Sequence, residues 1–365
     1  MTTPVRSATA TAPEHQALPP RQERWRAWVV PGLLFVVAAV IRLAVASLVP
    51  FPATEGSAYY LGVARNMLDG DGLVTDSLWS YATPPLVVPR PAFELWMPMS
   101  SFIAAAGMAV LGTTFWAAQV ASCLVGALLA PLAWAVARSA ADAAQLDRRR
   151  AAAVAFASGL LVALASPFVL SAAVPDSYTP YVVASVAAAV LVPGVVPPAR
   201  VPVARGIALG ILLGLAYLAR QEVAWLGLAI VIAALAAARG RARDGAGESP
   251  RGADVLRAAI VRLAPVVVGG LIVVVPWLVR NAAAFGTPFP GQALENALLR
   301  RNEDIYAFAE RPSLAGYVDQ GLPTLIGNPV AAAWDGLLNV ILVPAFPIGL
   351  AGLVTIAAMW RSPAF

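Results

Sequence analysis

The chain predicts an all-α polytopic membrane protein, with about eight transmembrane helices and juxtamembrane helices in its first outer loop. Three observations predict it. Of 365 residues, 59% are hydrophobic and only 12% charged, against roughly 45–50% and about 25% in soluble domains. The mean hydropathy is +0.74. The apolar residues fall into long runs separated by short connectors in which every basic residue is Arg and none is Lys. A soluble fold could not cover so much apolar surface.

Residues 1–26, rich in Pro, Thr, Ala and Gln, have no apolar period and read as a disordered cytoplasmic tail ending in Arg21, Arg24 and Arg26. Residues 27–360 read as one transmembrane domain. Its first run, 28–49, carries a single charge, Arg42, and would span roughly 33 Å as a helix, enough for a hydrocarbon core of about 30 Å. It is too long for a signal-peptide core, and no small-residue cleavage site follows it. The later runs are 95–111, 114–137, 151–174, 178–198, 206–219, 223–238, 258–279 and 336–360.

Basic connectors orient such a chain, because Lys- and Arg-rich loops stay cytoplasmic. If all nine runs crossed, Arg148–Arg150 and the cluster of Arg239, Arg241 and Arg243 would lie outside. If 95–111 lies along or dips into the outer surface, every later basic connector returns inside. That run is short and contains Pro98, Ser100, Ser101 and Gly107, with Pro91 and Glu94 just before it. The expectation is therefore eight crossings in the plasma (inner) membrane with both termini cytoplasmic. Two long loops, 50–113 and 280–335, then share the outer face with Asp176 and the tip at Arg220, Gln221 and Glu222. The work of the protein belongs on that face.

The net charge of +5 reads as topology. No nucleic-acid-binding pattern accompanies the arginines. The single Cys123 lies in an apolar run and the single His15 in the tail, which leaves no Cys/His metal set and no disulfide.

Carboxylates beside hydrocarbon are costly, which singles out Glu55 and Asp176 next to outer run ends. They are either solvated interfacial residues or a catalytic pair, since a hydroxyl nucleophile needs a carboxylate within hydrogen-bond reach. Arg220 and Arg280 stand at outer ends against the inside bias, and a guanidinium suits a phosphate or snorkels at the interface. Arg90, flanked by prolines, is a weaker candidate for that role. Arg220 and Glu222 are two apart and would not face each other on one helix. Asp69-Gly70-Asp71 reads as a helix stop with Gly70 as C-cap, ahead of any metal role. The cluster Arg300, Arg301, Glu303, Asp304 and Tyr306 reads as a solvated face, with acceptor binding as its rival. Trp79, Tyr81, Trp96 and Trp116 read as interfacial belt aromatics.

In order along the chain stand an acid after the first span, Tyr59, Tyr60, Ala64, Arg65, Gly70 and Gly72, a Pro-rich segment at 84–98, PDSY at 175–178, LARQE at 218–222 and PWLVRNAAAFGTPFP at 276–290. This order resembles the GT-C membrane glycosyltransferases, in particular the protein O-mannosyltransferase and lipid A aminoarabinose transferase branch. The resemblance spans roughly residues 28–290. It implies inverting transfer of a sugar from a polyprenyl-phosphate donor to an acceptor glycan, lipid or protein on the extracytoplasmic face. Glu55 would be the base, and Asp176 the second acid or the ligand of a divalent cation. Arg220, Arg280 and Arg90 would meet the donor phosphate, while Tyr59, Tyr60 and Glu222 would contact substrate. The branch usually carries paired acids where this chain has Thr54-Glu55. Larger members continue beyond the last span with further helices or an outer domain. Independently of the resemblance, the chain has no Gly-rich loop opening a helix after a strand, as a nucleotide-sugar site of the Rossmann kind would need. A transporter or flippase, or an inactive assembly partner, are the competing readings.

Overall fold

The computed structural model describes residues 21–78, 86–196, 202–246, 252–291, 293–301, 304 and 312–342. It is helical almost throughout. In order these are α1 (Arg21–Ala46), α2 (Glu55–Asp69), α3 (Met99–Leu111), α4 (Phe115–Ala127), α5 (Leu129–Ala143), α6 (Arg148–Leu164), α7 (Ser166–Ala173), α8 (Tyr178–Leu191), α9 (Val203–Ala219), α10 (Val223–Ala246), α11 (Gly252–Phe285), α12 (Ala293–Ala297), α13 (Leu314–Val318) and α14 (Leu322–Leu342). The sheet among the described residues is one antiparallel pair, β1 (Val74–Thr75) with β2 (Arg90–Pro91), in register Val74 to Pro91.

Among the described residues, four helical stretches are long and apolar enough to cross a membrane: Trp28–Ala46, Phe115–Ala143, Val223–Gly240 and Gly252–Phe285. A fifth arises if α6 and α7, bent by 47° at their junction, are one span. The chain is therefore a helical membrane protein. The helices Met99–Leu111, Tyr178–Leu191 and Val203–Ala219 are apolar but shorter.

The ends of the helices follow from local chemistry. Thr54 accepts from the Ser57 N–H at 3.1 Å to cap α2. Gly70 closes α2 in the left-handed region at φ 96°, donating to the Asn66 carbonyl, so Asp69-Gly70-Asp71 is the helix stop that the sequence indicated. Asp147 accepts from Arg149 and Arg150 to begin α6. Two boundaries differ from expectation. The helix of the first span starts at Arg21, within the segment read as a tail, and residues 1–20 lie outside the described residues. The second long loop, 280–335, is broken by helices: α11 continues to Phe285 and α14 starts at Leu322, with Pro323 in its first turn, where the missing N–H costs nothing. Most of the 336–360 run lies beyond the described residues.

Packing relies on small residues. The glycines of α9 let α11 approach at backbone distance, with Gly210 against the Val266 carbonyl and Gly269 of α11 against Ile207. Gly107 of α3 likewise meets the Ala117 carbonyl and Ala121 of α4. Arg42 is fully buried in α1. Its Nη1 donates to the carbonyls of Ala38 at 3.1 Å and Ala163 at 3.2 Å, and Nη2 to that of Val162 at 3.5 Å. The Ala163 carbonyl would meet the N–H four residues on, but that residue is Pro167, which has none. The buried guanidinium replaces it at the bend between α6 and α7.

Candidate functional site

Several helix ends meet at one end of the bundle. Gln119, near the start of α4, touches the end of α1 and the end of α7, and Arg220 at the end of α9 reaches Ser177 before α8. A cleft of about 810 Å³ opens here. It is lined by the first turn and Tyr60 of α2, by Trp96 and Met97, by Asp176, Ser177 and Tyr178, and by Arg220, Gln221 and Glu222.

A polar chain crosses this cleft. Arg220 Nη1 donates to Ser177 Oγ at 3.0 Å, and Ser177 Oγ donates to Asp176 Oδ1 at 3.0 Å. The Ser177 backbone N–H also donates to Asp176 Oδ1. Arg220 Nε donates to Glu222 Oε1 at 3.0 Å, and Nη2 reaches the same oxygen. The guanidinium lies 4.2 Å from the Tyr178 ring centroid, within cation–π range. Arg220 and Glu222 therefore do pair, contrary to the helical-spacing argument. Arg220 leaves α9 in an extended conformation, φ −155° and ψ 137°, and the turn that follows brings a side chain two residues away onto its fork.

The electrostatics agree with the geometry. Burial pulls the Arg220 guanidinium down, and the bonds and charge of Glu222 outweigh that, so it titrates above its ordinary value. Burial raises the Glu222 carboxyl, and the Arg220 bond and charge more than reverse it, holding it below the usual carboxylate value. Tyr60, hydrogen-bonded to Ser177, is pushed strongly upward, first by burial. It is a neutral hydroxyl at any physiological pH.

Glu55 is the first residue of α2, where its charge complements the helix N-terminus, and it is exposed. Its neighbour Gly56 lines the cleft, and a β-carbon there would lie 3.9 Å from Asp176 Oδ2. The structure thus brings the two acid-bearing loops together, although they are distant in sequence.

Three of the residues grouped with them stand apart, in an adjoining aromatic layer. Tyr59 accepts from the Phe93 N–H at 2.6 Å and packs edge-on to Trp96, with ring centroids 4.5 Å apart. Burial pushes its hydroxyl up to about 12. Arg280 donates to the Leu73 carbonyl and to Asn281 Oδ1, both at 3.2 Å, among the rings of Phe93, Trp277 and Phe285. Arg90 pairs with Glu94 at 2.7 Å, both largely buried. Neither arginine lines the cleft that Arg220 lines. Adjacent positions on α2 explain the division, since Tyr59 and Tyr60 project about 100° apart and serve different neighbours.

Among the described residues no three His, Cys, Asp or Glu side chains converge as a metal set. Asp176 with Glu55 would supply two carboxylates, so a divalent cation held there would need water and phosphate ligands as well. In the charged cluster, the N–H groups of Arg300 and Arg301 donate to Asp304 Oδ2 at 3.3 and 3.1 Å, which is a local turn. Glu303, Tyr306, Trp79 and Tyr81 lie outside the described residues.

A second cavity is walled by some of the same chain segments. This apolar groove, of about 530 Å³, is lined by Met99 and Ile103 of α3, Pro180 and Val183 of α8, and Leu212 and Leu215 of α9, and reaches Trp28 and Pro31 of α1. Three of its walls continue walls of the cleft: Met97 leads to Met99, Tyr178 to Pro180, and Arg220 back to Leu215. Sequence reasoning did not foresee this groove, nor the role of Ser177, because both depend on which helices become neighbours. Set against protein-family models, curated proteins and solved structures, the chain has no match.

Proposed function

We propose that the protein is a membrane glycosyltransferase that moves one sugar, a hexose or pentose such as mannose, from a polyprenyl-phosphate donor to an acceptor on the extracytoplasmic face. The observation that carries this reading is a polar cleft lined by Asp176, Glu222 and Arg220, with an apolar groove walled by the same three chain segments. An amphipathic donor has the same two parts, and both volumes suit small-molecule sites.

In this reading the acceptor hydroxyl gives its proton to Glu55 as its oxygen bonds to the anomeric carbon. The bond from that carbon to the phosphate oxygen breaks on the opposite face, and the electron pair leaves with the lipid phosphate. Arg220 balances the charge that develops there. Asp176 and Ser177 orient the acceptor and Arg220. Thr54, where the resembling branch carries another acid, caps α2 and so fixes the direction in which Glu55 leaves the loop. Arg280 and Arg90, each already engaged outside the cleft, are second choices for the phosphate.

The same reading takes eight crossings of the plasma membrane with both termini cytoplasmic: α1, α4–α5, α6–α7, α8, α9, α10, α11 and the last apolar run. The Gln119 bonds between the start of α4 and the end of α1 favour it, since α2 and α3 then begin and end on one side.

One observation favours a flippase or transporter, namely a broken span, α6–α7, with a buried charge beside it. Arg42 is fully buried, however, with Nη1 and Nη2 bonded to carbonyls, so a moving ligand has no access to its charge. The experiment is transfer of labelled sugar from synthetic polyprenyl-phosphate mannose in membranes holding wild type, Glu55→Gln or Asp176→Asn. Loss in Glu55→Gln at equal expression supports the assignment of the base. Equal activity in all three removes Glu55 from catalysis, and lipid movement without transfer favours the flippase.

A further inference from the structure

Gln119 is the one amide in the apolar run 114–137, and it is 2% exposed. An uncharged polar side chain at that depth loses water and must find partners in the protein. Its Nε2 lies 3.1 Å from the Ala46 carbonyl, 3.1 Å from that of Val49 and 2.8 Å from that of Ala173. A carboxamide carries two N–H groups, so one of them is shared between two of these carbonyls.

The three acceptors are not scattered. Ala46 is the last residue of α1 and Val49 lies in the loop that leads to Glu55, while Ala173 is the last residue of α7, directly before the turn that holds Asp176. Carbonyls at helix C-termini have no partner within their own helix. At the end of α7 the chain cannot supply one by continuing, because Val174 is extended and Pro175 follows. The Ala46 carbonyl also accepts from the Val49 N–H at 3.0 Å, so one side chain on a third helix supplies a donor to the end of α7 and ties it to the end of α1. Cys123, one turn further along α4, points its Sγ at the Ala172 carbonyl, 3.5 Å away, which continues the same seam.

We infer that Gln119 is a positioning residue: its carboxamide clamps the loop bearing Glu55 to the loop bearing Asp176, and so sets the spacing of the two acids. The clamp itself stands on geometry alone. Only its consequence for sugar transfer rests on the proposed function.

The test has two arms on the full chain in membranes. In the first, Cys123→Ser removes the native thiol, and cysteines at Gly56 and Asp176, which face each other across the cleft, report loop spacing by disulfide formation under mild oxidation. Gln119→Met keeps the volume and loses the donors, and it should slow cross-linking severalfold. Ser122→Ala, also buried on α4, should leave the rate unchanged. If Gln119→Met does not accumulate, Gln119→Asn, one methylene too short to reach, decides in its place. Cross-linking at the parental rate in these variants overturns the clamp.

In the second arm, Gln119→Met in the otherwise native chain should lower kcat by up to about a hundredfold, the loss expected of reacting groups displaced by roughly an ångström. The donor KM should move little, since Arg220 stands at the end of α9 and keeps its bond to Glu222. A raised KM with unchanged kcat overturns the positioning role. If wild type transfers no sugar, the proposed function fails, and the cross-linking arm still decides whether the clamp exists.

Discussion

Glu222 occupies the fork of Arg220 that a phosphate would need, so exchanging Glu222 for Gln should strengthen binding of a phosphate-headed lipid. The side chains are 26% exposed for Arg220 and 49% for Glu222. A pair this open to solvent is worth roughly 0.2–1 kcal/mol. Displacing it therefore costs the ligand at most about fivefold in affinity, and Glu222→Gln should recover up to that amount. Arg220→Gln removes charge-assisted bonds of about 1.5–3 kcal/mol each, so it should weaken binding at least tenfold. The assay is titration of the purified protein with polyprenyl phosphate, followed through the fluorescence of Trp96 and Trp225, which line the cleft. The pH dependence has a definite sign. Glu222 titrates below its ordinary value of 4.5, so its pairing is fully present above that value and is lost as pH falls through the lowered one. Wild type and Glu222→Gln should differ by a constant factor at neutral pH and converge only in acid. If Glu222→Gln instead weakens binding as much as Arg220→Gln, Glu222 aims the guanidinium at the ligand and does not compete with it.

Arg42→Leu should lower the thermal stability of the detergent-solubilised protein, because the Ala163 carbonyl beside Pro167 would lose its donor, at about 1–3 kcal/mol for an unsatisfied buried group. An unchanged melting temperature would remove Arg42 from the bend. Gly210→Ala should separate α9 from α11 and reduce folded protein, since its β-carbon would meet the Val266 backbone. Gly227→Ala, with nothing within 4 Å, should be neutral or stabilise by up to about 1 kcal/mol, and equal effects of the two in a melting assay would refute this packing argument. Tyr59, raised from 10.0 to about 12, favours the neutral form in the folded state. Stability should hold up to about pH 10 and fall as pH rises toward 12, a loss that Tyr59→Phe should reduce. Tyrosinate absorbance recorded with unfolding checks it.

Much of the scaffold was legible in the sequence. Among the described residues the apolar runs are helices, Gly70 ends α2, and Glu55, Asp176 and Arg220 stand at helix ends, while Arg280 lies inside α11; hydropathy, chain length and backbone preference act locally and leave a one-dimensional trace. Boundaries were less legible. Helix α14 starts at Leu322, ahead of the hydrophobic run at 336–360, since a Pro in a first turn starts a helix without any change in hydropathy.

The composition and order of residues by themselves determined that this is a helical membrane chain and which polar residues are expensive enough to need a reason. Only the tertiary structure decided what those reasons are. It separated Arg220 from Arg280, paired Arg220 with Glu222, gave Arg42 to the carbonyls of a broken helix, and made Gln119 the link between two loops. The physical cause is plainest for Arg42 and Gln119, which are fully buried. A buried polar group must find a partner, but the partner lies on whichever helix packs beside it, and the match of glycines and small residues across helix faces chooses that neighbour.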